Sequence, residues 1–281
     1  RSGLPIHGVD FSGGKETEAG NPKLWVASWV SERADSTVQL KRGTDIRLKR
    51  RDLPGLVRAR GGIWVMDFPF GVALGTARAL GLPDNDWNAW LQWASTNQTN
   101  VYEPTERRDL ARALTASRGV PWSARRQVDE EHQTTWFPLF EQLYRQTLLG
   151  AREVLEPLAR EQSVAVVPFD RPRPNTPLVS EGFPGWTLRR RLGHEGVGYK
   201  GDTARHREER DFILRALVSA GLPVGDAELT RAIDDSEGDA VDALVLLLAA
   251  WETSTITAEA WAQQRQQAEA AGLLAEGWFF A

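Results

Sequence analysis

Apolar positions along the chain fall into two spacings, and the change from one to the other lays out the fold. Strand-length runs, either alternating or continuously apolar, occur six times. "LPIHGVDF" (4–11) ends at Asp10 and is followed by the turn signal "SGGK". "LWVASWV" (24–30) is apolar throughout and reads as a central buried strand. "STVQLKR" (36–42) alternates, with Val38 and Leu40 on one face and Thr37, Gln39 and Lys41 on the other. "GIWVMDF" follows, stopped by Pro69 and Gly71. "SVAVVPFD" (163–170) and "PLVSEGF" (177–183) flank a proline-rich link. The first three strands in a row predict an antiparallel meander.

Helical patterning fills the rest. The arginine-rich stretch 47–60 predicts a short helix. Residues 72–162 read as helical throughout, carrying "DWNAWLQWA", "PTERRDLARALTA" with proline near a helix start, and "TWFPLFEQLYRQTLLGAREVLEPLARE". Trp87, Trp90, Trp93, Trp122 and Trp136 fall there. Trp90 and Trp93 share a helical face, for core packing or, as the alternative, for stacking on bases. Further helices are expected at 203–220 and 226–233. "GDAVDALVLLLAAW" predicts a buried helix with an acidic first turn, and a last helix at 257–271 leads to "AEGWFFA". The expected organisation is one domain over 1–281 with a helical insertion at 72–162.

Composition narrows the chemistry. The 281 residues suffice for a well-buried core. No apolar run reaches membrane-spanning length; "ALVLLLAAW" (243–251) suits a buried helix. There is no cysteine, which removes disulfides, thiolate nucleophiles and zinc–cysteine sites and fits a cytoplasmic protein. His7, His132, His194 and His206 are scattered without metal-binding spacing. The net charge of −4 does not advertise nucleic-acid binding, but two local stretches are basic. One holds Arg47, Lys49, Arg50, Arg51, Arg58 and Arg60; the other holds Arg189, Arg190, Arg191, Lys200, Arg205, His206 and Arg207. Each is either solvated surface or a phosphate-tracking patch.

Carboxylates are the remaining resource. Asp67 ends the run Ile63, Trp64, Val65, Met66, with Phe68 behind it. A charge in such surroundings costs several kcal/mol unless it is paired, hydrogen-bonded or bound to a cation. Asp10 ends another apolar strand, and Glu181 lies in a third. Asp239 and Asp242, three apart, share one face of a helix. Separately, each acid has a local explanation; Asp239, for example, suits an N-cap after Gly238. Together they suit hard divalent cations, because Mg²⁺ and Mn²⁺ take carboxylate oxygens and need neither Cys nor His. Two such ions about 4 Å apart serve phosphodiester cleavage. The element order is that of an RNase H-like α/β fold, a mixed sheet flanked by helices with a large helical insertion after the fourth strand.

"HGVDFSGG", "VMDFPFG", "VVPFD", "PLVSEGFPGWTLR", "YKG", "DAVDALV" and "EGWF", in this order, resemble the family of predicted nucleases with an RNase H fold called domain of unknown function 429. The likeness covers roughly 6–280, and "DAVDALV" also looks like the DxxDAL helix of Holliday-junction resolvases. The resemblance implies an acidic nuclease site. Asp10 falls on the first-strand Asp, Asp67 on the Asp of the fourth-strand "DxPxG" motif, and Glu181 on the Glu of "EvyP". Asp239 and Asp242 fall on the acidic pair of the last core helix. Lys200 falls on a family Lys that meets a phosphate or lies on the surface. "EvyP" appears here as "EGFP", which keeps the Glu and the Pro.

The expected function is therefore a Mg²⁺- or Mn²⁺-dependent nuclease acting on DNA or RNA. Asp10, Asp67 and Asp242 would bind metal, Asp239 and Glu181 would complete or orient the shell, and Lys200 would hold phosphate. The alternative is a non-catalytic RNase H-fold binding or scaffold protein with a protein partner. A phosphotransferase is weaker, because "FSGGK" lacks the spacing of a phosphate-binding loop.

Overall fold

The computed structural model describes residues 3–30, 36–97, 100–103, 125–132, 143–256, 258–270 and 276. The strands are β1 (Pro5–Asp10), β2 (Trp25–Val30), β3 (Gln39–Arg42), β4 (Ile63–Met66), β5 (Ala165–Val167) and β6 (Leu178–Glu181). They form one mixed sheet in the order β3-β2-β1-β4-β6-β5. The first three pair antiparallel, as the meander requires. β4 lies parallel to β1, β6 parallel to β4, and β5 parallel to β6. "LWVASWV" is not central: β2 stands one strand from the edge, and its second half is half-buried. Its apolar end is covered by an aromatic contact instead, Trp29 meeting Trp251 edge-on at 5.4 Å.

Side-chain alternation sorts the sheet into two faces. Ile63 and Val65 of β4 enter one core, and Trp64 and Met66 enter the other. On the first face lie α7 (Pro184–Leu192), α8 (Ala204–Ser219), α9 (Asp226–Asp234) and α10 (Asp239–Thr255). On the second face lie α1 (Leu53–Arg60), α3 (Trp87–Thr96), α5 (Tyr144–Gly150) and α6 (Glu156–Glu161), the last two joined through a π-helical stretch at Ala151–Leu155. α2 (Leu74–Ala79), α4 (Gln127–Glu131) and α11 (Ala258–Ala270) complete the described helices.

Residues 72–162 are thus not helical throughout. Gly81, at φ +76°, and Pro83 break the chain between α2 and α3. Nor does this segment stand away from the sheet, since its helices bury Trp87, Trp90, Leu148 and Val154 against Val9, Trp64 and Met66. Trp87 and Trp90 of α3 pack in the core, Trp93 is half-buried against it, and Trp87 stacks on Phe169 at 3.8 Å. "PTERRDLARALTA", Trp122 and Trp136 lie outside the described residues.

The basic stretch 47–60 divides. Arg50 is buried and structural: it bonds Glu153 at 3.1 Å and the carbonyls of Ser12 and Gly14. Arg47, Arg51, Arg58 and Arg60 are exposed. No single helix among the described residues is long and apolar enough to cross a membrane; α10, the most apolar, is the buried core helix.

Candidate functional site

Strand parity decides which acids meet. In β1, Ile6, Gly8 and Asp10 share the face that α10 covers, and in β4 Ile63 and Val65 share it with Asp67 one step further on. The Asp67 N–H donates to the Val9 carbonyl at 2.9 Å, carrying the β1–β4 ladder one residue past the strand. Gly8 lets α10 come down onto β1, since a Cβ there would overlap the Ala243 carbonyl oxygen and the Leu247 nitrogen. That close approach lays the first turn of α10, with Asp239 and Asp242, beside Asp10.

Asp239 is not the N-cap. Gly238 holds that position in the left-handed region at φ +78°, and the Asp235 carboxylate accepts the Ala240 N–H at 2.8 Å. Asp239 is the first helical residue, and its carboxylate faces the site. One oxygen from each of Asp10, Asp239 and Asp242 lies within 4.8 Å of the others. Asp10 is 5% exposed, yet its carboxylate has no hydrogen-bond donor among the described residues; neither does that of Asp67. Burial, then Asp239 and Asp242, hold the Asp10 carboxyl well above the usual range. Burial, then Asp242, do the same for Asp67. Asp239 is pushed up to about 6, mainly by burial, with Lys200 pulling against it and Asp242 adding to it.

The basic member is Lys200. Its Nζ lies 2.6 Å from Asp242 and 3.8 Å from Asp239, while about half the side chain (52%) stays in solvent. Asp242 and other neighbours raise the ammonium pKa against the effect of burial. The preceding Tyr199 donates its hydroxyl to the second Asp242 oxygen at 2.6 Å. Buried Arg210 anchors this loop, donating to the carbonyls of Tyr199 at 2.6 Å and Gly201 at 2.8 Å. Arg210 and Asp235 lie in none of the sequence motifs; Tyr199 is the first residue of "YKG", in which the resemblance gives a role to Lys200 alone.

Glu181 sits differently. Leu178 of β6 enters the core under α10, so parity sends Val179 and Glu181 to the opposite face. There Arg126 holds both Glu181 oxygens, at 2.6 and 2.8 Å, and the Phe70 N–H donates to one of them at 2.8 Å. Arg126 also pairs with Asp129 and donates to the Glu276 carbonyl. All three charged groups are buried. Burial raises the Glu181 carboxyl while Arg126 opposes it. Glu276, from the "EGWF" segment, accepts the first N–H groups of α2 and α4, from Leu74 and Gln127.

A cavity of about 550 Å³ brings these groups together. Asp10, Asp67, Glu181, Asp239, Asp242 and Lys200 all line it, so every sequence-predicted site residue borders one space. Four aspartates face the α10 side of it, and Glu181 faces Arg126. Carboxylates along the wall, among them also Asp129 and Glu195, outnumber the cations Lys23, Arg126, Arg189 and Lys200. Such a wall repels anions and attracts multivalent cations. No family model, no curated protein and no solved structure matches the chain.

Proposed function

We propose that the chain is a divalent-metal-dependent phosphodiesterase of nuclease type on an RNase H-like sheet. The observation that carries this reading is the convergence of Asp10, Asp239 and Asp242, within 4.8 Å of one another, at the carboxyl end of β1, with Asp67 at the end of β4. An antiparallel β1–β2–β3 unit, a parallel β4 beside β1, and acids on both strand ends and on the helix across them support the RNase H-like assignment. The resemblance to the domain of unknown function 429 family points the same way.

The donor set fits Mg²⁺ or Mn²⁺, because it is all carboxylate and contains a buried acid with no donor of its own. Asp10, Asp67 and Asp242 would hold the ion or ions, with Asp239 completing or orienting the shell. When bound, a divalent cation supplies a Lewis acid for the phosphoryl oxygens and water of lowered pKa. Tyr199 fixes one oxygen of Asp242 and Lys200 holds the other, so the carboxylate has a set orientation in the wall. Glu181, clamped by Arg126, holds the wall rather than the ion. Lys200, half in solvent at the rim, is placed to exchange its carboxylate partners for a substrate phosphate. In the reaction water oxygen bonds to phosphorus, the P–O ester bond breaks, and the leaving oxygen takes up a proton. The substrate is DNA or RNA.

One observation favours a second reading. Lys200 already neutralises Asp242 from within the chain, as an internal counter-ion would in a non-catalytic binding or scaffold protein. A calorimetric Mn²⁺ titration of the wild type beside Asp67→Asn separates the two. Saturable binding lost in the variant, followed by Mn²⁺-dependent cleavage of an oligonucleotide panel, is the expected result. No binding by the wild type, with or without oligonucleotide, would overturn the nuclease reading in favour of the scaffold.

A further inference from the structure

Three consecutive arginines on a helix cannot share a face, because each step turns about 100°. In α7, Leu188 and Thr187 take the buried side, and Arg189, Arg190 and Arg191 fan around the rest. Arg189 lines the carboxylate cavity and donates to the His132 carbonyl at 2.8 Å. Arg190 and Arg191 line a second cavity, of about 820 Å³, together with His132, Trp186, Trp251 and Glu252. The His132 ring leans on Trp186 at 4.6 Å, so Arg189, His132 and Trp186 form the ridge between the two spaces.

The second cavity has the opposite electrostatic character. Glu252 is its sole carboxylate among the described residues, and Arg191 takes it at 2.7 Å. Arg190 forms no ion pair among the described residues, Glu252 acting on it only from a distance; its guanidinium lies 4.8 Å from the centre of the Trp186 ring and its side chain is exposed. A cation backed by indole rings in a concave space matches a phosphate next to an accessible base face. Duplexes hide their base faces, whereas unpaired nucleotides offer them.

We propose that this cavity is a metal-independent binding site for unpaired nucleotides, with Arg190, held over the Trp186 ring, meeting a backbone phosphate and the partly exposed Trp251 offering a stacking surface. The role in substrate delivery rests on the nuclease reading; the binding itself does not. A strand lying here passes the Arg189 ridge into the carboxylate cavity, so the preferred substrate has a single-stranded segment beside the cut.

The test is fluorescence anisotropy with a fluorescein-labelled oligothymidylate of about twelve residues, long enough for one site of this class, in EDTA. Under EDTA the carboxylate cavity repels phosphate, and the Arg190 variant separates binding in the second cavity from binding to the exposed arginines of 47–60. We expect binding by the wild type and roughly tenfold weaker binding by Arg190→Ala, with a near-unchanged Tm because Arg190 is exposed. The slope of log affinity against log salt should fall by about 0.7, the loss of one single-strand phosphate contact. Arg190→Lys should restore most of the slope. No binding by the wild type, equal binding by Arg190→Ala, or equal affinity for a matched duplex would each overturn the proposal. Competition by polyglutamate as strong as by unlabelled oligothymidylate would overturn it in favour of an acidic protein partner. A wild type that binds oligothymidylate but no Mn²⁺ would sustain this site while removing the nuclease reading.

Discussion

Gly8 of β1 and Ala243 of α10 stand in direct backbone apposition: a Cβ on Gly8 would overlap the Ala243 carbonyl oxygen. The contact has a functional consequence, because it brings Asp242, one residue before Ala243, beside Asp10, two residues after Gly8. Gly8→Ala should cost about 1–3 kcal/mol by overpacking and weaken Mn²⁺ binding as the helix is pushed off the strand. Gly55→Ala is the control, since its Cβ would meet nothing nearer than Arg58 at 4.0 Å. It should be neutral or stabilise by up to about 1 kcal/mol. Urea denaturation of both variants, with calorimetry, checks the pair.

Asp10→Asn removes one charge from a buried group of like charges. The metal-free variant should melt about 2–4 °C higher, as a relief of roughly 1 kcal/mol implies for a domain of this size. It should bind no Mn²⁺ and show no cleavage. A lower melting temperature together with intact Mn²⁺ binding would remove Asp10 from the metal shell.

Lys200 competes with any cation for Asp242. Lys200→Ala should therefore raise Mn²⁺ affinity, by about tenfold if the ion pair opposes binding by the roughly 1.4 kcal/mol that tenfold represents. The metal-free protein should lose at most about 1 kcal/mol, because the lysine side chain is half exposed and its charge is partly screened. Unchanged affinity would mean that Lys200 leaves the carboxylates at no cost.

The pH dependence has a defined sign. Asp239 titrates near 6 in the folded chain and near 3.9 unfolded, so between these values the folded state binds more protons. Stability from this group is then full below about 4 and lost as pH rises through about 6. The advantage of Asp239→Asn over the wild type in metal-free melts should grow from pH 4 to pH 7. Mn²⁺ affinity of the wild type should rise over the same window, since the ligands must give up protons. A difference that stays flat with pH would place the elevated titration elsewhere.

Arg126 is the partner of two buried carboxylates, Asp129 and Glu181. Arg126→Ala removes the guanidinium that both buried carboxylates share and should cost about 3–5 kcal/mol. Adding Glu181→Gln should recover part of that loss, because one of the two carboxylate charges is gone. Chemical denaturation of the two variants measures the coupling. Equal stabilities would show that Glu181 finds another partner when Arg126 is absent.

Period-two alternation was enough to place Trp64 and Met66 on one face of β4 and Ile63, Val65 and Asp67 on the other, because strand side chains alternate whatever lies against them. It likewise set Asp10 on the face of Gly8, and the apolar run after Asp242 made α10 a core helix with an acidic first turn. Hence the acids of β1, β4 and α10 were legible in the chain itself. What covers each face was not. Glu181 reads like the other strand-end acids, yet parity turns it toward Arg126, 55 residues away in sequence and without a motif. Asp235, not Asp239, caps toward α10, since the turn through Gly238 sets which carboxylate reaches the free N–H. Local periodicity decides where a side chain points; only the packing of distant segments decides which charge it meets there, because such pairs depend on contacts that no short window of sequence contains.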